Sequence, residues 1–359
     1  QQDAGSALIF LLQSIFSSLW VAGPGGWVDV FRFDFLLASG KLVIGLYLVL
    51  VLLAAFLVGF ALNHFPAHPD KKRAKADRLG MLGVGLVACL LAGWPFWLIE
   101  VLPTAIFPLD RFTLPFALGM SLLGAGLVGL LPTTVRWQSI LMGILVALAV
   151  GYQFQVSNTY RREWEATQRF FWQLSWRVPD LQPGTLVLSN QLPLWRYSDN
   201  SLTAPLNRLY AQADGSENLA YLLVYPEQRL GKSLASLAPG TPVDVDYLAA
   251  TFQGSTSQAV GLIYQPPGCL RILDPELDSG NEFLPQIMQD AAWLSDASLI
   301  LPTGEPGMPA SLFGAEPDHR WCYFFEKADL ARQNADWETA ANLGDQAFQL
   351  GDYPNDPSE

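Results

Sequence analysis

VSNTYRREWEATQRFFWQLSW, residues 156–176, is the stretch on which the fold turns. The residues before it, from Gln138 to Gln153, are apolar enough for lipid, and here the chain becomes polar and charged without a break. Between 138 and 176 Gly143 and Gly151 are the helix breakers, with no proline, and Tyr160, Trp164, Thr167, Phe171 and Leu174 recur at alternating steps of four and three. That spacing predicts a rigid helix that leaves an apolar bundle and carries a second domain. Pro179 and Pro183-Gly184 end it.

Upstream lie stretches near the ~18 apolar residues that mark a membrane helix, because ~20 residues at ~1.5 Å each cross a ~30 Å hydrocarbon core. The expected spans are 5–22, 41–63, 79–101, 113–131 and 138–153; the first is the most polar, with Gln13 and four serines. No basic segment precedes residues 5–22, which argues against a signal peptide. The chain opens QQD without Met, so it is expected to be a fragment or a processed product. Ser121, Ala125 and Gly129 recur every four residues in the fourth span, a small-residue stripe suited to close helix approach. Trp20, Trp27, Trp94 and Trp97 suit interfacial depth, and Pro95 in WPFW (94–97) is expected to kink the third span.

Charge separates the two halves. Twelve of the 21 basic residues and 26 of the 33 acidic ones follow residue 152. Five of the nine basic residues of the first half sit in HFPAHPDKKRAKADR (64–78), which places that connector in the cytoplasm. Counting spans forward puts FPLDRF outside, Arg136 inside and everything after about residue 153 outside. The expected location is a multi-pass cell-membrane protein with an extracytoplasmic C-terminal domain, whose acidity excludes nucleic acid as a partner.

Residues 154–301 read as an α/β domain with a leading long helix. TLVLS (185–189), LAYLLVY (219–225) and AVGLIY (259–264) are short continuous apolar runs, as in strands buried on both faces. PVDVDYLAATF (242–252) alternates like a half-exposed strand, with QGSTSQ (253–258) as the connection onward and a helix near 283–295. Of three cysteines, Cys89 lies in a span; Cys269 and Cys322 share a compartment that permits a disulfide if the fold brings them together. The alternative is two small buried hydrophobes.

After a Gly/Pro-rich linker (302–318), residues 319–359 form a helix-turn-helix pattern. Phe324, Ala328, Ala331, Trp337, Ala340 and Ala347 fall where a tetratricopeptide repeat places its packing residues, and the segment resembles one such repeat. A lone repeat cannot bury its own face. It either packs on the α/β domain or belongs to an array whose partner is a peptide or protein.

FPLDRFTLP (107–115) sets an Asp-Arg pair between two apolar runs. As plain helix chemistry, Asp110 meets the positive end of the dipole, Thr113 caps and Arg111 snorkels to the interface. A guanidinium at the outer face of a bundle is also shaped to grip a phosphate. This element, followed by a long span, two helices in all, and an outer α/β domain, resembles the R-[FY]-x-L-P motif and layout of type C membrane glycosyltransferases. The resemblance covers about residues 40–300. It implies transfer of a sugar from a polyprenyl-phosphate donor on the extracytoplasmic side, with Arg111 and Asp110 at the lipid phosphate. Those enzymes take their catalytic base from a first outer loop that has no counterpart here, and Asp29 and Asp34 do not inherit the role. The catalytic part is therefore expected upstream of this chain. The rival reading is a non-catalytic, membrane-anchored interaction protein with an extracytoplasmic binding domain.

WRYSDNSLTAPLNRLY (195–210) follows the first outer strand, where α/β folds place ligands. Arg196, Asp199, Asn200, Asn207 and Arg208 are candidates for a sugar or peptide site, with Trp195 or Tyr197 stacking. The alternative is a turn at Asp199-Asn200 and a helix capped by Thr203. His64 and His68 flank prolines with no third ligand, His319 stands alone, and neither a GxSxG elbow nor a phosphate-cradling glycine loop occurs. No metal and no cofactor is expected.

Overall fold

A computed structural model of the chain describes residues 4–31, 39–64, 71–104, 109–132, 134–211, 218–357 and 359. They form two compact units, Gln1–Arg162 and Glu163–Glu359. Five described helical segments are long and apolar enough to cross a membrane: Leu8–Phe31, Lys41–Leu62, Lys75–Leu98, Leu109–Leu130 and Arg136–Arg177.

The first unit contains α1 (Ala4–Trp20), α2 (Lys41–His64), α3 (Lys71–Leu98), α4 (Ala117–Leu130) and the N-terminal part of α5 (Val135–Arg177). The expected span 5–22 extends further than its composition suggests. GPGG does not open a loop, because a π-helical turn at Val21–Gly25 carries the chain on through Gly26–Val28 and Asp29–Phe31, with the irregularity confined to Gly23 (φ −110°, ψ −109°). The serines of α1 are reconciled with apolar surroundings by local bonds. Ser14 and Ser18 are buried and donate to the carbonyls four residues back, at 2.8 and 2.7 Å.

Ser18 also corrects the expectation for Trp97. Its hydroxyl accepts the indole N–H at 3.1 Å, and Trp97 lies buried over Gly93 inside the bundle, while Trp20 and Trp94 remain exposed. Gly93 leaves the space the indole occupies; a Cβ there would lie 2.1 Å from the ring.

α3 and α4 pack antiparallel at backbone distance. A Cβ on Gly119 would meet Cys89 Sγ at 2.4 Å and the Gly85 carbonyl at 2.8 Å, and one on Gly126 would meet Leu82 at 2.8 Å. The close face of α4 is thus Gly119 and Gly126, seven residues or two turns apart, joined by Gly129 against Arg78. Ser121 of the expected stripe is exposed. α2 and α5 meet in the same antiparallel sense: Gly151 faces Tyr47 and Val51, and Gly143 faces Ala55.

α5 matches the expectation from the opening stretch. It runs 43 residues, about 65 Å at the standard rise. In the second unit its C-terminal part packs on a four-stranded sheet of order β3-β2-β6-β7, built from β2 (Leu186–Ser189), β3 (Leu222–Val224), β6 (Ala259–Ile263) and β7 (Arg271–Ile272). β3, β2 and β6 are mutually parallel, and β7 is antiparallel to β6. Their continuous apolar runs serve two cores at once. Val187, Leu223, Val260 and Leu262 point to Phe170, Phe171 and Leu174 of α5, while Leu186, Leu188, Leu222 and Val224 point to Met288, Ala291 and Ala292 of α7 (Gln286–Ala292).

PVDVDYLAATF is not one strand. β4 (Pro242–Asp246) turns through Leu248, at φ 68°, and returns as β5 (Thr251–Ser255), so QGS belongs to a strand and the turn before β6 is shorter than expected. β1 (Asp180–Leu181) pairs with β8 (Ile300–Leu301). Segment 302–318 is packed rather than open: Phe313 is buried in the main core, and its carbonyl accepts the Trp172 indole N–H at 3.0 Å.

The C-terminal hairpin, α8 (Trp321–Gln333) and α9 (Trp337–Gln349), belongs to the same compact unit as the sheet. Cys322 of α8 is disulfide-bonded to Cys269, which settles the open pairing question. Arg177 at the end of α5 is 2% exposed and donates to Asp329 and Gln333 of α8, each at 2.8 Å. Phe324, Ala331 and Ala347 are buried as the repeat pattern expects, but Trp337 is 64% exposed.

Candidate functional sites

Asp110 and Arg111 lie in a 3-10 helix, Leu109–Phe116, that leads into α4. Pro115, lacking an N–H, sits in this run, and the regular α-helix begins only after it. Asp110 Oδ1 accepts the Arg111 backbone N–H at 2.9 Å, and Thr113 donates its hydroxyl to the Asp110 carbonyl at 2.7 Å. Thr113 therefore closes the turn as a donor, where a capping acceptor was expected. The Arg111 side chain is exposed, with its guanidinium carbon 5.2 Å from the centroid of the Phe112 ring, which itself packs 5.1 Å from Phe96. The aromatic pair steadies the guanidinium at the end of a span. Asp29 lies in the helical extension of the first span; Asp34 and His68 are outside the described residues.

The residues of WRYSDNSLTAPLNRLY are distributed along α6 (Asp199–Tyr210) and the loop before it. The helix starts earlier than a Thr203 cap requires: Ser198 is the N-cap, in a reciprocal box with Ser201. Asp199, Thr203 and Asn207, four residues apart, face β3, the edge strand of the sheet. The Asn207 amide donates to the Tyr221 carbonyl at 2.7 Å and its carbonyl accepts the Tyr221 N–H at 3.1 Å. Thr203 accepts the Leu223 N–H at 3.1 Å and donates to the Leu223 carbonyl at 3.3 Å, and Asp199 accepts the Tyr225 N–H at 3.4 Å. These are the strand groups that point away from β2. A ladder of side chains thus takes the place of a fifth strand.

Asp199 is 1% exposed and forms a forked ion pair with Arg229, whose Nε lies 2.6 Å from Oδ2 and whose Nη2 contacts Oδ1. Asn200 accepts from Arg229 and from the Tyr247 hydroxyl, each at 2.8 Å. The backbone N–H groups of Trp195 and Arg196 donate to buried Glu163 at 2.9 and 3.2 Å, which ties the loop after β2 to α5. Arg208 stands exposed in the last turn of α6, and Trp195 is 75% exposed. The side chains of Asp199, Asn200 and Asn207 are thus bound into the fold, and the structure does not gather all five candidates at one point. Arg229 and Glu163 went unnoticed because their partners are 30 and 32 residues away, with no local signal.

No family model, curated protein or solved structure matches the chain. Its chemistry must be read from its own geometry.

Cys269, Cys322 and Glu359 bring ligand-type atoms within 4.8 Å of one another, but the two sulfurs are bonded to each other and so supply no thiolate for a metal. The carboxylates serve the chain instead: Glu359 accepts the Cys269 N–H at 2.6 Å, and Glu326 accepts the Leu270 N–H at 3.2 Å. Glu326 is fully buried, and its other oxygen has no hydrogen-bond partner among the described residues. Burial pushes its pKa well up, beyond what the Leu270 N–H and Arg177 offset. Asp329 is the opposite case: burial acts to raise it, but Arg177 and Arg332 outweigh burial and hold its carboxyl below the usual range.

Proposed function

We propose that the chain spans a membrane, that its second unit is extracytoplasmic, and that Arg111 contacts the phosphate of a polyprenyl-linked sugar, as in a type C glycosyltransferase-like protein. The observation that carries the reading is the setting of Arg111. It is an exposed guanidinium, steadied by Phe112 at the start of an apolar span, and its paired N–H donors match a phosphate at interfacial depth. Two features support the sidedness. Lys71, Lys72, Arg73, Lys75 and Arg78 all lie at the start of α3, the arrangement of a cytoplasmic span end. The disulfide belongs to an oxidising compartment. In this reading the second unit is the acceptor-side scaffold.

The test is Arg111→Ala in the full-length protein, with polyprenyl-phosphate binding as the readout. Binding is expected to weaken by about 1.5–3 kcal/mol, the worth of a charge-assisted contact, with folding intact. Sidedness is checked by labelling single cysteines placed in 71–78 and 200–211 from outside the cell. Only the second set is expected to react.

A second reading, a non-catalytic interaction protein, draws on the hairpin. Trp337, Phe348, Leu350 and Tyr353 are 64, 54, 64 and 64% exposed, an unusual concentration of large apolar side chains. Unchanged lipid-phosphate binding in Arg111→Ala would favour it.

A further inference from the structure

A cavity of 310 Å3 opens where the C-terminal part of α5 meets the start of α8, wholly within the second unit. Its apolar lining is aromatic: Trp176, Trp321 and Tyr323 contribute, and no Leu, Ile, Val or Met does. Pro317 and the disulfide-bonded Cys322 complete that part. Four charged side chains share the lining, Arg169 and Arg320 against Asp318 and Asp352, so the formal charges cancel. The balance is notable in a chain of net charge −12.

We propose that this cavity binds a neutral saccharide ring. A phosphate would meet two carboxylates as well as two guanidinium groups, and an ammonium the reverse, so neither gains a net field. A pyranose carries no charge. Its hydroxyls both donate and accept, and its C–H faces pack on aromatic rings. Guanidinium and carboxylate groups present their atoms as planar forks, which suit neighbouring hydroxyls, and the amides of Gln173 and Asn355 add to them. The volume lies at the small end of the ~300–1,000 Å3 typical of ligand cavities, appropriate to one or two sugar rings.

The walls are held before any ligand arrives, which lowers the ordering penalty of binding. Cys322 is anchored to Cys269, Asp352 accepts the Trp321 backbone N–H at 2.8 Å, and Gln173 accepts the Leu270 N–H at 2.9 Å. Trp176 donates to Glu316 at 2.9 Å, and the Tyr323 ring stacks on His319 with centroids 3.6 Å apart. Trp321 is 7% exposed, and its indole N–H has no acceptor among the described residues. This site uses no residue of the first unit and stands whether or not Arg111 meets a lipid phosphate.

The test is saturation-transfer NMR on the full chain in lipid nanodiscs, free of glycoside detergents. The probes are the methyl glycosides of glucose, mannose, galactose and N-acetylglucosamine, with glucose 6-phosphate and glucosamine as charged counterparts. At least one neutral glycoside is expected to bind, no more weakly than its charged counterparts. Arg320→Ala and Asp318→Ala, both at exposed positions, are each expected to weaken it about tenfold. Trp293→Ala, at an exposed aromatic that does not line the cavity, is expected to leave it unchanged. Absence of binding by all four glycosides, binding that survives both Arg320→Ala and Asp318→Ala, or tighter binding of the charged probes would overturn the proposal.

Discussion

The disulfide allows a quantitative test of how the hairpin is held. Cys269 and Cys322 are 53 residues apart, and closing a loop of that length removes about 14 cal/mol/K from the unfolded chain, or about 4 kcal/mol at 25 °C. Replacing both cysteines by alanine should therefore bring the opening of α8 closer to the folded state by up to about 4 kcal/mol. At about 1.4 kcal/mol per factor of ten, that is an acceleration of amide exchange of up to about a thousandfold. The hairpin should nonetheless remain docked, because the Arg177–Asp329 pair and the Glu326 contact with Leu270 persist. Hydrogen exchange followed by mass spectrometry on the full chain in nanodiscs gives the result peptide by peptide. Faster exchange is expected across α8 and the 268–273 segment, with α1 to α4 unchanged. An acceleration below about threefold in α8, or equal acceleration in both units, would refute the loop-entropy argument.

Three further outcomes follow from buried polar groups. Thr203→Val leaves the edge N–H and carbonyl of Leu223 without their partner and should lower the unfolding free energy by about 2 kcal/mol; Thr203→Ser, which keeps the hydroxyl, should lower it by less than about 1, as read by thermal unfolding. Asp329→Ala strips Arg177 of its counter-ion at 2% exposure and should destabilise the second unit by about 3–5 kcal/mol, most of it recovered in the Arg177→Met/Asp329→Ala double variant. Glu326 has its folded pKa raised above the ordinary 4.5, so its contribution is fully present below that value and is lost as pH rises through the folded pKa. Glu326→Gln should remove this decline, flattening the stability profile on the alkaline side of 4.5; an unaltered profile would show that Glu326 does not bind a proton on folding.

What the sequence made legible follows the range of the forces involved. The apolar spans, the uninterrupted run into α5 and the strands Leu186–Ser189, Leu222–Val224 and Ala259–Ile263 are written in neighbouring residues, because burial acts on a whole segment. The turn at Leu248 was hidden because a non-glycine residue adopts φ 68° there, with no Gly or Asn to announce it. The end of the first span, expected at residue 22, was misplaced for the opposite reason, since the breakers of GPGG (23–26) are absorbed within a π-turn and the turn after it. In the candidate outer site, Asp199 and Asn207 carry the polar chemistry expected of ligand contacts. Their use inside the fold depends on partners 14 to 30 residues distant that no local pattern reveals. Pairings such as Arg177 with Asp329, 152 residues apart, are likewise properties of the tertiary fold.

The ladder between α6 and β3 has a built-in length limit. Four residues of helix advance about 6.0 Å, whereas two residues of strand advance about 6.6 Å, so the two rulers drift by about 0.6 Å per rung. The contacts record that drift: they lengthen from 2.7 and 3.1 Å at Asn207, through 3.1 and 3.3 Å at Thr203, to 3.4 Å at Asp199. A fourth rung would fall outside hydrogen-bond range, and β3 is three residues long. A helix substitutes for a strand over just the span where the periods still agree, and over that span it denies the sheet edge to any strand from another chain.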